Sequence, residues 1–527
     1  MKILTSRIWQ VSRHQEMSLS CNFGRSLGQI IIKLCSLSAP VSILVLLSLF
    51  LGLVCNLFSC PVVWAFEVST HRQLAEKAIE VMESELNTYL VVNLGLEGGL
   101  NTSFNGMTAR EWMIEGSNFE DDFPRFNNHF HDPISNDGLG GVFNSAIDWS
   151  LQSIGEQKYS WNDAREYYFK ALTSPTKAER DENWGKTFRA LGQIMHLIQD
   201  MASPAHVRND AHLSYFGIGN VDGLHDYMER QSVASYLGGG MIGPDRPILE
   251  QAGATRPEPF SNLFDANQYT GSNPDATLGG YVGLAEYANA NFFSNDTIPF
   301  QPFFNFPSYN HPNLSEVIPA ISPFPSGQSY VTLLRLGSPS DPHARIAKYT
   351  GNQALAKFTL AHLQYDLIGQ LQLDDAVYDA YSSHLIPRAV GYSAAVLKYF
   401  FRGTSPIGFT QYCFQPGFQS TPPNYAISID VEISLPDQFQ DGGSFYSYVD
   451  RPDGQRENMS GFVWESSRLG IPFGMGGGIV GDDLGHPGPL RVTIVYEGKL
   501  GPIGAAESNG VVGTTHMITK FIEPCLQ

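Results

Sequence analysis

The spacing of hydrophobic residues divides the chain into a helical part followed by a strand-rich part. Between Thr70 and Leu86, apolar residues recur every three or four positions, as they do on one face of an amphipathic helix. His71 falls in the first turn on the inward face, and Thr70 with Gln73 forms the pattern of a capping box. The pattern predicts a helix from Thr70 to Leu86 that directs His71 toward the interior.

A second helix is predicted over residues 184–201, where the apolar stripe has the same period. His196 and Asp200 lie one turn apart on a neighbouring face, so both side chains point the same way. Pro204 breaks the helix, which allows His206 to return toward the same place. Further helices are predicted over Leu284–Phe293, Ile346–Leu373 and Ala376–Phe401.

The period changes to two after Gly403. Residues 427–435 and 490–496 alternate apolar and polar side chains, as strands with one buried face do. We therefore predict a separate C-terminal β-sandwich domain over residues 403–527.

A loop-rich segment interrupts the helical part. From about residue 235 to 342 the chain is rich in Gly, Pro, Asn and Phe, and it exceeds ordinary loop lengths. We interpret residues 66–402 as an α-helical domain and residues 235–342 as an ordered insertion in it. Insertions of this length often shape a binding site.

The first 65 residues differ from the rest in charge and hydropathy. Five basic residues and one acidic residue precede the apolar run of residues 43–54, and residues 63–65 have the small-residue pattern of a cleavage site. This predicts a signal peptide over residues 1–65, a mature chain that begins at Phe66, and a secreted or periplasmic product. The alternatives are an uncleaved membrane anchor and a lipoprotein attached through Cys60.

Composition narrows the range of partners. The formal net charge is −19, and removal of residues 1–65, with five basic residues and one acidic, makes it −23. Duplex DNA is not an expected partner, because contacts to its phosphates require clustered Lys and Arg. Four of the six cysteines lie in the leader, and we predict that Cys413 and Cys525 form a disulfide in an oxidising compartment. Two free buried thiols are the alternative.

Histidines and carboxylates recur at spacings that suit a metal site. The string H-x-x-x-D-x-x-x-P-x-H begins at His196, and HDYME places His225 and Glu229 one helical turn apart. Upstream, residues 117–133 gather three acidic residues and two histidines before a final Asp-Pro pair. Each piece alone is typical of a surface pair or a solvated loop. Imidazole with carboxylate is the ligand set of zinc, and the joint occurrence of the pieces with an inward-facing His71 favours a metal centre.

The order and spacing of these residues resemble the zinc-dependent phospholipase C family, which includes clostridial alpha-toxins, and the related zinc-dependent single-strand nucleases. The H-x-x-x-D-x-x-x-P-x-H string is followed by H-x-x-x-E and preceded by H-F-x-D-P at residues 129–133. The resemblance covers roughly residues 66–230. It implies an all-α catalytic domain that hydrolyses phosphodiesters, and the known appended β module of alpha-toxin-like members favours a membrane lipid as substrate.

The resemblance implies three zinc ions. The ligands of the first are Asp121, His129 and His196. The ligands of the second are His206, His225 and Glu229. The ligands of the third are His71 and the amine and carbonyl of an N-terminal Phe66, with Asp200 bridging the first and third ions. Asp122 is the alternate to Asp121, which is preferred because it lies five residues after Gly116.

The resemblance also implies roles in catalysis. Hydrolysis would use a metal-acidified water for in-line attack on phosphorus, without a side-chain nucleophile. Asp121 would orient that water or act as its base, and Asp200 would join two of the ions. Phe126 takes the place of an aromatic residue that binds a choline head group, and a cation on an aromatic face contributes about 0.5–2 kcal/mol. Phe130 and Asp132 take the places of residues that stack on and hydrogen-bond a nucleic-acid base.

The sequence therefore predicts a secreted zinc-dependent phospholipase C that acts on phospholipid at a membrane surface. One alternative is a zinc-dependent nuclease or phosphodiesterase acting on single-stranded nucleic acid. The alternative from another class is an inactive zinc-binding adhesion or scaffold protein.

Overall fold

The structure is a computed structural model. It describes residues 68–122, 125–210, 223–237, 259–278, 282–295, 321–323, 328–338, 340–350, 371–403, 407–412, 426–431, 443–450, 453–458, 464–465, 473–477, 490–501 and 507–518. The predicted signal peptide, Phe66, Cys413 and Cys525 lie outside these ranges, so cleavage, the N-terminal ligand and the disulfide remain predictions.

Helices dominate the described residues before Gly403. The α-helices are α1 (Val68–Thr88), α2 (Ala109–Phe119), α3 (Ala146–Leu151), α4 (Trp161–Thr173), α5 (Lys177–Asp200), α6 (Gly223–Glu229), α7 (Leu284–Asn291) and α8 (Asp375–Phe400). The predicted helices over Leu284–Phe293 and Ala376–Phe401 are confirmed within one or two residues at their ends. Within the described residues, no helix combines the length and the apolar character needed to cross a membrane.

Helix α1 confirms the predicted helix and the inward direction of His71, which is fully buried. The predicted capping box is wrong, because α1 extends to Val68 and Thr70 lies inside the helix. The side chain of Gln73 instead accepts a hydrogen bond from the backbone N–H of Val233, 3.3 Å away. Gln73 therefore makes a tertiary contact with Val233 instead of capping the N-terminus of α1.

Helix α5 is the central helix of the fold. It begins with a capping box between Thr176 and Glu179 and ends at Asp200, before Pro204, as predicted. Helices α2, α4, α8 and α1 pack against it, and nearly every residue in its second half is buried. The close approach of α2 requires glycine, because a Cβ at Gly192 would overlap the carbonyl of Met113 and one at Gly116 the carbonyl of Arg189.

The predicted helix over Ile346–Leu373 is wrong at both described ends. Strand β5 (Arg345–Tyr349) and strand β6 (Leu371–Gln372) occupy them, and residues 351–370 lie outside the described residues. An antiparallel sheet with the order β3-β4-β5-β6 joins them to β3 (Ile321–Pro323) and β4 (Ser329–Thr332). Pairing with β4 overrides the apolar period, since strand preference depends on the neighbouring strand more than on the local sequence. Earlier in the chain, β1 (Ser103–Phe104) and β2 (Met107–Thr108) form a small hairpin.

The predicted change to strands after Gly403 is confirmed. The strands are β7 (Ile407–Tyr412), β8 (Ala426–Val431), β9 (Ser444–Asp450), β10 (Arg456–Asn458), β11 (Trp464–Glu465), β12 (Phe473–Gly477), β13 (Leu490–Leu500) and β14 (Glu507–Ile518). They form two antiparallel sheets, one with the order β10-β9-β13-β14 and β11 on β9, the other with the order β12-β8-β7. Stacking of the two sheets into a sandwich remains a prediction, as do the domain boundaries.

The larger sheet contacts the helical part directly. Glu507 of β14 accepts hydrogen bonds from Trp161 and Arg165 of α4 and from Arg402 after α8. Tyr446 of β9 packs edge-on against Phe169 of α4, with 5.4 Å between ring centroids. Residues 64–527 accordingly form one compact unit.

Candidate metal centre

Five of the predicted ligands lie where helices begin or end. His71 is in the first turn of α1, Asp121 follows α2 by two residues, and His129 follows a short 3-10 helix. His196 and Asp200 lie in the last turns of α5. All five side chains are fully buried.

The ligand atoms of these residues form two groups of three. One group is Asp121, His129 and His196, and the other is His71, His196 and Asp200. Within each group the atoms lie within 4.8 Å of one another, and His196 belongs to both. The first group is the predicted ligand set of the first zinc ion. The second group contains His71 and Asp200, which were predicted for the third ion, together with His196.

Asp200 joins the two groups. Its Oδ1 lies 3.4 Å from Nε2 of His71, and its Oδ2 lies 3.0 Å from Nδ1 of His129 and 3.3 Å from Nε2 of His196. The two oxygens of one carboxylate therefore face different groups. This arrangement suits a carboxylate that bridges two cations.

In the part of the chain that the structure describes, several buried ligand atoms lack the hydrogen bonds that buried polar atoms normally make. Both carboxylate oxygens of Asp121 and of Asp200, both ring nitrogens of His129 and Nε2 of His196 are buried without a hydrogen-bond partner among the described residues. Burying a charged group in this way is costly unless it is paired or binds a metal. Nitrogen and carboxylate ligands in close groups match the preferences of zinc. The residues therefore fit the implied ion.

Charge is concentrated in this cluster. Burial lowers the pKa of His129, but the carboxylates of Asp200 and Glu120 outweigh it and raise the pKa to about 8. Burial also lowers the pKa of His196, but Asp121 and Asp200 outweigh it and hold this pKa well above its ordinary value. Burial raises the pKa of Asp200, but the surrounding imidazoles hold it well below its ordinary value. A cation competes with these protons, because a histidine binds metal only when neutral.

Backbone carbonyls orient two of the histidines. Nδ1 of His196 lies 2.6 Å from the carbonyl oxygen of Ser117, and Nδ1 of His206 lies 2.9 Å from the carbonyl oxygen of His129. A carbonyl only accepts, so Nδ1 carries the proton in both rings. In the neutral ring, which is the form that binds metal, Nε2 then carries no proton.

His129 has the opposite orientation. Its Nδ1 faces Asp200, and its Nε2 lies 3.7 Å from Oε1 of Glu120. Glu120 is fully buried and is held by Arg125 and by Nε1 of Trp149, at 2.7 Å. A carboxylate behind a ligating histidine fixes the ring and raises its basicity. Glu120 therefore faces Nε2 of His129 from outside the group, at a distance longer than a hydrogen bond.

The side chain of Gln199 orients His71. Nδ1 of His71 lies 2.8 Å from Oε1 of Gln199, and Nε2 of Gln199 donates to the hydroxyl of Ser393 in α8, at 3.2 Å. Burial and the nearby charge of His196 lower the pKa of His71, so its ring is neutral at pH 7. The amide oxygen of Gln199 accepts a hydrogen bond from Nδ1 of the neutral ring. Nε2 then carries no proton and faces Asp200.

Replacing Gln199 with leucine is expected to weaken zinc binding by about 10-fold to 100-fold, because His71 loses the acceptor that sets its orientation. Competition with a chelating dye of known affinity measures the change. Thr187→Val is the matched control, since Thr187 is buried on the same helix and bonds only to the carbonyl of Asn183. Equal zinc affinity in Gln199→Leu and wild type would contradict the assigned role.

The second predicted ligand set is placed close to the first but stays a prediction. His206 and His225 are buried, with ring centroids 5.8 Å apart, and His206 lies 6.4 Å from the ring of His129. Glu229 is the last residue of α6, and its side chain is exposed. None of these three belongs to the two groups found among the described residues.

The two acidic candidates after Glu120 are separated by the structure. Asp121 is fully buried in the first group, whereas Asp122 is exposed. The placement agrees with the choice of Asp121 as ligand.

The predicted substrate-binding residues differ in accessibility. Phe126 is partly exposed. Phe130 is 5% exposed and stacks on the ring of His206, with 4.5 Å between centroids. Asp132 is 4% exposed, and its Oδ1 accepts a hydrogen bond from the backbone N–H of Ile134 at 2.9 Å. Phe130 and Asp132 are thus engaged within the protein.

His131, which the resemblance leaves outside the ligand sets, connects the centre to the insertion. Its Nε2 lies 3.0 Å from Oδ2 of Asp265, and its Nδ1 lies 3.2 Å from Oγ of Ser145. Its backbone N–H donates to the carbonyl of His206 at 3.1 Å. The described part of the insertion therefore supports the segment that carries His129.

Sequence reasoning included Glu120 in the acidic cluster without giving it a role, and it missed Gln199 and Asp265. Glu120 and Gln199 each immediately precede a predicted ligand, in EDD and in IQD. A polar side chain on the apolar face of a buried helix was the available signal for Gln199. Asp265 has no such signal, because it lies in a loop 134 residues from His131.

The solved structures that match the chain include two alpha-toxins. Alpha toxin from Clostridium absonum aligns with a TM-score of 0.29 and 13% identity, over 85% of this chain and 97% of that chain. The Clostridium perfringens alpha-toxin isolated from avian strain SWCP aligns with a TM-score of 0.24 and 12% identity, over 85% and 98%. Scores this low establish neither a shared fold nor a shared activity. No family model matches the chain, and the search of curated proteins gives no match.

Proposed function

We propose that this protein is a zinc-dependent hydrolase of phosphoric diesters, of the phospholipase C type. The observation that carries the proposal is the joined pair of buried ligand groups, in which the oxygens of Asp121 and Asp200, the ring nitrogens of His129 and Nε2 of His196 have no hydrogen-bond partner among the described residues. The order of the ligands along the chain, which resembles that of zinc-dependent phospholipases C, supports the choice of reaction.

The side chains have separable tasks in this proposal. Bound zinc would supply Lewis acidity to a phosphoryl oxygen and acidify a water molecule. Asp200 holds the two groups together, because each of its oxygens faces one group. Neither oxygen of Asp121 has a hydrogen bond within the described part of the chain, so one could bind metal and the other could accept a proton from the attacking water. The full burial of both carboxylates keeps bulk water away from them.

A lipid substrate is favoured over a nucleic acid by the state of the aromatic residues. Stacking on a base requires an accessible ring face, and the ring of Phe130 is already stacked on His206. Asp132 is likewise buried and caps the backbone of Ile134. Phe126, the residue in the choline-binding place, retains exposed surface. The net charge of −19 also disfavours a polyanionic strand.

Turnover of bis-p-nitrophenyl phosphate by zinc-reconstituted protein tests the reaction. We expect hydrolysis that is lost on chelation and restored by zinc. Zinc bound without any turnover would support the inactive scaffold and exclude both enzymes.

Comparison of phosphatidylcholine with single-stranded DNA tests the substrate class. We expect release of phosphocholine from mixed micelles and no cleavage of the DNA. The opposite preference would replace the phospholipase by the nuclease while leaving the metal centre intact.

A further inference from the structure

A cavity of about 700 Å³ lies where the larger β-sheet meets the helical part. Its walls come from the loop of residues 94–104, from the junction of α4 and α5, and from strands β9, β13 and β14. Ligand pockets in proteins typically measure about 300–1,000 Å³ and often form between packed structural layers. The size and position of this cavity are those of a ligand site.

The cavity has an apolar wall. Leu94, Phe104, Leu172 and Trp184 line it, and the rings of Phe104 and Trp184 stack with 5.8 Å between centroids. These side chains form part of the hydrophobic core, so the wall is held rigidly. The four side chains are 2–5% exposed, so a hydrocarbon chain would contact them through a small apolar surface.

Three arginines line another part of the cavity. Arg456 is paired with Asp450, at 2.6 Å, and Arg491 lies 3.3 Å from the exposed carboxylate of Glu97. Arg180 differs from both. It is 7% exposed and has no ion pair among the described residues.

Of the side chains that the structure describes, four basic and three acidic ones line the cavity, and each acidic one pairs with Lys177, Arg456 or Arg491, so Arg180 is the excess positive charge. Its guanidinium donates to the carbonyls of Ser174, Pro175 and Gly454, which supply dipoles but no counter-charge. Burial and the neighbouring charge of Arg456 lower the pKa of Arg180, and the carboxylates of Asp450 and Asp181 offset part of this. A nearly buried cation beside other cations is stabilised by an anion in the adjoining space.

We propose that this cavity binds a single-chain amphiphile with an anionic head group, carboxylate or phosphate. The hydrocarbon chain lies on the Phe104–Trp184 wall, and the head group lies between Arg180 and Arg491. A hydrocarbon chain suits the apolar wall, and an anionic head group suits the excess of one positive charge that Arg180 gives the cavity.

This site is separate from the candidate metal centre. Trp184 and His196 are twelve residues apart on α5, which corresponds to about 18 Å along the helix axis. The proposal does not depend on hydrolysis. A binding measurement can therefore fail while the phosphodiesterase assay succeeds, or the reverse.

Isothermal titration of the intact protein with dodecyl phosphate, below its micelle concentration, tests the proposal. We expect one site per chain. Laurate distinguishes a carboxylate head from a phosphate head. Inorganic phosphate provides the head without the chain, and dodecyltrimethylammonium provides the chain with the opposite charge. Equal binding of the ammonium compound would overturn the proposal, as would binding of neither anionic amphiphile.

Two variants locate the site. Arg491→Gln is expected to weaken dodecyl phosphate binding about fivefold to tenfold, through loss of one partly exposed charge. Ser103→Trp is expected to weaken binding at least tenfold, because Ser103 is exposed at the cavity and an indole there occupies space that the hydrocarbon chain needs. Arg110→Gln, in a partly exposed arginine paired with Glu83 elsewhere, is the matched control. Unchanged binding in Ser103→Trp would place the ligand outside the cavity and overturn the assignment.

Discussion

Asparagine at position 200 is expected to lower the turnover of bis-p-nitrophenyl phosphate roughly 1,000-fold. Asp200→Asn preserves the shape of the side chain but removes its charge and leaves one oxygen where two now face separate ligand groups. Metal-assisted stabilisation of a phosphoryl transition state contributes several kcal/mol, and each 1.4 kcal/mol or so is a factor of about ten in rate. One substitution therefore affects both groups at once.

The measurement is kcat/KM at saturating zinc, together with zinc content per chain. Asp122→Asn is the control, because Asp122 is an exposed carboxylate one residue from the buried Asp121. We expect the control to retain wild-type turnover and zinc content. Full activity in Asp200→Asn, in protein that keeps the wild-type circular dichroism spectrum, would rule out a bridging role for Asp200.

Replacing Glu507 with glutamine is expected to lower the free energy of unfolding by about 3–5 kcal/mol. Glu507 is 7% exposed and lies 2.6 Å from Arg165 and 2.7 Å from Arg402, whose side chains are 1% and 11% exposed. The neutral amide leaves two nearly buried guanidiniums without their carboxylate, at the contact between β14 and the helical part. Urea unfolding measures the change. Glu166→Gln, in an exposed pair with Lys170, should leave stability unchanged.

The Glu507 prediction has a defined dependence on pH. Burial alone would raise the pKa of Glu507, but the charges of Arg165 and Arg402 outweigh it and hold the pKa below its ordinary value. A carboxylate with a depressed pKa contributes stability above its unfolded pKa, about 4.3, and loses it as pH falls through the folded value. The difference between wild type and Glu507→Gln should therefore be full at pH 7 and shrink below about pH 4. A difference that grew toward acid pH would contradict the assignment.

Local sequence was sufficient where a helix defines the geometry. Residues four apart on a helix share a face, so His196 and Asp200 were predictable neighbours, and the apolar stripe of α5 placed them in the interior. The choice of Asp121 rested on an offset in the resembled family, and the structure buries it while exposing Asp122. The predicted helix at Ile346 failed because the partner strand β4 is not a local feature.

The sequence by itself determined the types of ligand, their order, and the one-turn spacing of His196 and Asp200, because helical geometry is set within a few residues. Tertiary structure decided which groups meet. Gly116 and Gly192 allow α2 to lie against α5, which brings Asp121 to His196. Gln199 meets His71 across 128 residues. Such contacts depend on how whole helices pack, and packing depends on the shapes of all the surfaces involved, so no short stretch of sequence encodes them.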